Sequence, residues 1–97
     1  MVKGNLNAVN GSKNALVGDS NAITKGISNQ ILGAFNFVTG DANSISGNSS
    51  VIQGKENVVE GGSSAVMGDK NTLVGNNNTA MGNNNKANGN DNSLFGK

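Results

Sequence analysis

The chain has 97 residues, of which 34% are apolar, 3% are aromatic and 15 are glycine, with no proline. So few large apolar side chains cannot fill one round core of this size, and a net charge of +1 with dispersed lysines and no arginine indicates binding to neither nucleic acid nor a membrane surface. The lack of cysteine and histidine excludes disulfides, thiol nucleophiles, imidazole bases and the usual zinc sites, so no catalytic, cofactor-binding or metal site is predicted.

Glycine recurs with a fixed spacing along the whole chain. It stands at Gly4, Gly11 and Gly18 and, after one interval of eight residues, every seven residues from Gly26 to Gly96. Only Gly62 lies outside this spacing. Glycine makes up about 7% of average sequences, so this regularity is not an accident of composition. We predict one repeat domain over residues 1–97.

Each repeat has the pattern G-x-x-N-x-Φ-x, where Φ is apolar. In chain order, the fourth place is Asn or Ser: Asn7, Asn14, Asn21, Asn29, Asn36, Asn43, Ser50, Asn57, Ser64, Asn71, Asn78, Asn85 and Asn92. The sixth place is always apolar: Val9, Leu16, Ile23, Ile31, Val38, Ile45, Ile52, Val59, Val66, Leu73, Ala80, Ala87 and Leu94. Places four and six share one face of an extended strand but opposite sides of a helix. Each unit is therefore predicted to be a short strand followed by a glycine corner.

Seven residues are too few for a closed coil, so two units per coil are the simplest arrangement. The predicted fold is all-β: a parallel β-solenoid of 14-residue coils, with coils stacked about 4.8 Å apart in a rod roughly 30 Å long. Stacking in register would place identical Asn side chains above one another, where their amides can donate and accept hydrogen bonds in ladders.

The seventh place points away from the core of the coil. Six of its members are large and apolar and are candidates for a subunit interface: Val17, Leu32, Met67, Val74, Met81 and Phe95. An outward apolar row predicts self-association.

Four local features stand out along the chain. The extra residue near Thr24 and Lys25 is predicted to be a tolerated bulge. Phe35 and Phe37 flank Asn36 at outward places, where an exposed aromatic pair would suit a protein partner, although packing in a subunit interface explains them equally well. The phase of the apolar seventh places changes near Gly61. The asparagine tracts at residues 76–78 and 83–85 keep the repeat in register and are predicted to be ordered.

The sequences of residues 14–18, 64–68, 71–75 and 78–82 resemble the N/S-x-A/V-Φ-G signature of YadA-like head repeats in trimeric autotransporter adhesins. This resemblance implies a left-handed β-roll, a homotrimer, and placement on the bacterial surface through an outer-membrane anchor domain outside this chain. It also implies a non-enzymatic head or stalk that binds host extracellular matrix or receptor proteins, and it makes the six apolar seventh-place residues the inter-subunit core.

Three other functions fit some features of the repeat. An ice- or surface-binding solenoid could present regular rows at lattice spacing, but Thr24, Thr39, Thr72 and Thr79 do not read as one threonine rank. A purely structural fibre or spacer is a second alternative. An acyltransferase on a left-handed β-helix is disfavoured, because that family repeats every six residues and needs a catalytic histidine that this chain lacks.

Overall fold

In the computed structural model, which describes residues 2–96, the chain forms a parallel β-solenoid without helices in the described part. The strands are β1 (Val2–Lys3), β2 (Ala8–Ser12), β3 (Ala15–Val17), β4 (Ala22–Ile27), β5 (Gln30–Leu32), β6 (Phe37–Thr39), β7 (Ser44–Ser46), β8 (Val51–Gln53), β9 (Val58–Glu60), β10 (Ala65–Met67), β11 (Thr72–Val74), β12 (Thr79–Gly82), β13 (Lys86–Asn88) and β14 (Ser93–Gly96). The predicted all-β solenoid is confirmed.

Alternate strands form two seven-stranded sheets, one of the odd-numbered and one of the even-numbered strands. Every pairing is parallel and joins a strand to its counterpart one coil away, as when Val66 pairs with Ile52 and Ala80. The principal extents are 33 × 20 × 13 Å, which agrees with the length expected from stacked coils. Two repeats therefore form one coil, as the sequence predicts.

The core is a single file of sixth-place side chains between the two sheets. From Leu16 to Ala87 all eleven are buried, and Leu94 packs against them. The middle residue of each three-residue strand is buried while its two neighbours point outward. Because each strand offers only one inward side chain, the rod needs no large aromatic residues to fill its interior.

The fourth-place residues form hydrogen-bonded ladders at the corners. In the middle of the odd ladder, the backbone N of Asn43 donates to Oδ1 of Asn29 at 2.9 Å, and its Nδ2 donates to the carbonyl of Gly54 at 2.9 Å. The even ladder contains Ser50 and Ser64, and the buried Oγ of Ser50 has no hydrogen-bond partner. The ladders predicted from the sequence are present, with one interruption.

Each corner also has a fixed backbone shape. The third place of every described repeat is a non-glycine residue in the left-handed region, with φ between 54° and 62°. At the first place glycine is needed for two reasons, as Gly61 shows: its φ is 126°, and a Cβ there would overlap the carbonyl oxygen of Gly75 in the next coil. Gly62, outside the repeat spacing, meets no such obstacle, since its nearest neighbour would be the carbonyl oxygen of Asn48 at 3.4 Å.

The extra residue produces the predicted bulge. Strands β2 and β4 are longer than the others, and the register shifts between Ile23 and Lys25 where β4 pairs with β6.

Around Gly61 and Gly62, by contrast, the structure shows no break. The backbone N of Gly62 donates to Oδ1 of Asn76 at 2.8 Å, as equivalent residues do at other corners. The change of apolar phase there is confined to outward side chains.

Candidate functional site

The two flat flanks of the rod are its most regular surfaces, because each strand presents two outward side chains at places five and seven. Within a strand these places are about 6.7 Å apart, and neighbouring strands lie about 4.8 Å apart. Each flank is therefore a two-dimensional lattice of side chains on a backbone held in register by the ladders.

We call the flank of the odd-numbered strands face A. Its outward side chains in the described residues are Lys3, Ala15, Val17, Gln30, Leu32, Ser44, Ser46, Val58, Glu60, Thr72, Val74, Lys86 and Asn88. Three of them carry charge, and one of the three, Glu60, lies near the middle of the sheet. Face A thus places a carboxylate among its apolar and hydroxyl side chains.

We call the regular part of the other flank, from β6 to β14, face B. Its outward side chains are Phe37, Thr39, Val51, Gln53, Ala65, Met67, Thr79, Met81, Ser93 and Phe95. None of them is ionisable, and six are apolar. Threonine, glutamine and serine are interspersed among the apolar groups, so face B combines a flat apolar surface with dispersed hydrogen-bonding groups.

Thr24 and Thr39 stack on the adjacent strands β4 and β6 and share a hydrogen bond of 2.7 Å between their Oγ1 atoms. The eight-residue interval hid this pairing in the sequence, because the two threonines are 15 rather than 14 residues apart. Thr79 lies on the same sheet and Thr72 on the opposite one. The four threonines therefore do not form one rank, as the sequence indicates, although two of them are paired.

The six side chains predicted to form a subunit core do not lie together. Val17, Leu32 and Val74 belong to face A, whereas the other three, Met67, Met81 and Phe95, belong to face B. Successive repeats lie on opposite sheets, so residues seven positions apart point in opposite directions. The homotrimer stays a prediction, but these six residues cannot form one continuous patch on a single chain.

The predicted aromatic pair is exposed. Phe37 lies on face B, and Phe35 projects from the neighbouring corner with 66% of its surface exposed. Both side chains point outward as predicted, but Phe35 occupies a corner with positive φ while Phe37 is part of the flat lattice. Their role in contacting a partner stays a prediction.

The described residues contain neither a group of three or more His, Cys, Asp or Glu side chains that could hold a metal nor a helix that could cross a lipid bilayer. A shallow groove follows the glycine corner beside the bulge, with Lys25 and Asp41 among its lining residues. In this groove, Oδ1 of Asp41 accepts a hydrogen bond from the backbone N of Ile27 at 2.9 Å. The flat faces, rather than a cavity, are the main candidate site.

Comparison with protein families matches residues 2–96 to the family described as Grass antifreeze beta roll. The chain belongs to the grass antifreeze β-roll family. A search of individual curated proteins gives no match. The family match covers all the described repeats, so membership rests on the full solenoid.

This membership corrects the interpretation of the repeats as YadA-like heads. The chain is not assigned to the trimeric autotransporter adhesins, and a surface adhesin that binds host matrix or receptor proteins, anchored in a bacterial outer membrane, is no longer supported. The error has a physical cause. Any β-roll with short coils needs glycine corners, buried polar ladders and one apolar residue per strand. The repeat motif therefore predicts the backbone fold but not the chemistry of the outer surface.

Proposed function

We propose that this protein binds ice, that face B is the surface in contact with the crystal, and that the protein has no enzymatic activity. Ice binding is supported by the membership of the chain in an antifreeze family. The observation that carries the choice of surface is the absence of any charged side chain from face B over its five strands, β6 to β14.

The chemistry of face B suits an ordered water layer. Apolar side chains restrict the orientations of first-shell water, and hydroxyl and amide groups can anchor individual molecules in that layer. The strand spacing of about 4.8 Å and the place spacing of about 6.7 Å give face B a regular two-dimensional repeat, as the surface of a crystal has. A rigid surface with these spacings can hold water in positions shared with the crystal.

A charge on such a surface opposes adsorption. An ammonium or carboxylate keeps its own hydration shell, and ice cannot rearrange to replace that shell without a large cost. Face A has this disadvantage at Glu60 and Lys86, whereas face B does not. Charge therefore favours face B, although both flanks are flat.

The two faces can be compared with a matched pair of substitutions. Ala65→Lys places an ammonium at the centre of face B, on β10, and Ser44→Lys places one at the centre of face A, on β7. Both positions are fifth places with a strand on either side, so each lysine can extend into solvent without entering the core.

Thermal hysteresis, the gap between the melting and freezing temperatures of a seeded crystal, is the readout. We expect Ala65→Lys to lose most of the hysteresis and Ser44→Lys to retain it, with both variants melting at similar temperatures by circular dichroism. The reverse pattern would assign ice binding to face A. No hysteresis in the folded unsubstituted protein would reject the proposed function.

A further inference from the structure

Strands β2 and β4 lie on the same sheet as face B and carry outward side chains of similar chemistry. The bulge in β4 separates them from face B. The outward fifth- and seventh-place side chains of β2 and β4 are Ala8, Asn10, Ala22 and Thr24, and none of these is charged. Lys25 is the inserted residue, and it brings an exposed ammonium to this otherwise neutral flank. A single extra residue in β4 thus lies between the five regular strands from β6 to β14 and the end strand β2.

The inserted residue changes the geometry of this flank as well as its charge. Thr39 on β6 pairs in the backbone register with Lys25, while its side chain bonds to Thr24, so two residues of β4 share the place that one residue occupies on other strands. The same extra residue shifts the register on the other side of β4, between Val9 and Gly11 of β2, while the fifth places Ala8, Ala22 and Phe37 stay aligned. A bulge bends the strand and increases its local twist, which interrupts a flat lattice.

We infer that Lys25 sets the boundary of the ice-contact surface, limiting it to the strands from β6 to β14. This inference rests on the proposed function, because it names the residue that fixes the extent of the same site. Both effects of Lys25 act in one direction: its charge resists dehydration against ice, and its extra backbone unit interrupts the lattice at the seventh place of β4, between β2 and β6.

Removing the residue would restore an uninterrupted repeat. With Lys25 deleted, Thr24 becomes the seventh place of an ordinary unit, and the glycine that follows lies seven residues after Gly18. The ladder accommodates this change, since Asn14 Nδ2 already bonds to the carbonyl of Gly26 at 3.1 Å across 12 residues, where most equivalent bonds span 11. The flat neutral surface would then grow from five strands to seven.

Three variants separate charge from geometry. Deletion of Lys25 removes both effects, Lys25→Ala removes the charge and keeps the bulge, and Lys13→Ala removes a lysine from a corner outside both faces. At equal molar concentration we expect thermal hysteresis to increase for Lys25→Ala, to increase further for the deletion, and to be unchanged for Lys13→Ala.

The outcomes distinguish this inference from the proposed function. Hysteresis in the unsubstituted protein supports ice binding whatever the variants do. A folded deletion variant with unchanged or reduced hysteresis would overturn the inference alone. If the deletion variant does not fold, Lys25→Ala still tests the electrostatic part, and an unchanged hysteresis there would overturn the inference that the charge of Lys25 limits the site.

Discussion

The side-chain oxygen Oδ1 of Asn43 accepts two hydrogen bonds from Asn57 of the next coil, one from the backbone N at 2.9 Å and one from Nδ2 at 3.1 Å. Nδ2 of Asn57 also donates to the carbonyl of Gly68 at 2.8 Å. One buried amide thereby joins three consecutive coils. The flatness of the faces depends on this relationship, since the ladder sets the height and register of each strand.

The interruption of the even ladder predicts a stabilising substitution. At Ser50 an asparagine would lie 14 residues after Asn36 and 11 before Gly61, the spacings at which other rungs form their bonds. We expect the double variant Ser50→Asn and Ser64→Asn to raise the free energy of unfolding by about 1–3 kcal/mol, because it replaces a buried hydroxyl that has no partner.

Chemical denaturation followed by circular dichroism measures this change. The matched control is Asn57→Ser in the uninterrupted ladder, which we expect to be destabilising by a similar amount. If the double variant were less stable than the unsubstituted protein, the interruption would not be a defect in hydrogen bonding.

The left-handed corners predict a second stabilising change. Glu56 has φ of 56°, a conformation that costs most L-residues about 1–2 kcal/mol but that Asn adopts readily. We expect Glu56→Asn to raise the free energy of unfolding by about 1 kcal/mol and Glu56→Val to lower it, since a β-branched residue is the least tolerant of positive φ. Both variants remove the same charge, so a difference between their melting temperatures reports the backbone; equal temperatures would contradict the explanation.

Two adjacent glycines provide a test of close coil packing. We expect Gly61→Ala to cost about 3 kcal/mol or more, because its Cβ would overlap the backbone of Gly75 and its φ of 126° is unsuited to alanine. Gly62→Ala should leave stability nearly unchanged, since only ordinary contacts surround that position. Thermal melting of the two variants measures the difference, and equal losses would show that the coils are not packed at the glycine row.

The fold was predictable because its causes are local and repeated. The burial of Leu16, the ladder at Asn43 and the corner at Gly61 each follow from residue types at fixed places, and the one-residue bulge near Lys25 follows from a single long interval. The candidate site could be predicted less well from the sequence. Val74 and Met81 look equivalent in the repeat, yet they point from opposite sheets, so the sequence suggested one interface where the structure has two faces.

The family could not be predicted from the repeat for a related reason. The pattern records what the interior requires, whereas function depends on the outward fifth and seventh places, whose grouping appears only when alternate repeats are assigned to separate sheets. The hydroxyl pair of Thr24 and Thr39 shows this most clearly, since the extra residue places them 15 rather than 14 positions apart in the sequence although their side chains are hydrogen-bonded.

Nanolitre osmometry on a single ice crystal in a solution of the unsubstituted protein tests the central claim most directly. The account predicts a faceted crystal that stops growing over a temperature interval below its melting point, with an interval that widens as the protein concentration rises. A crystal that stays a rounded disc and grows as soon as the solution is cooled, in the presence of protein shown to be folded, would contradict ice binding.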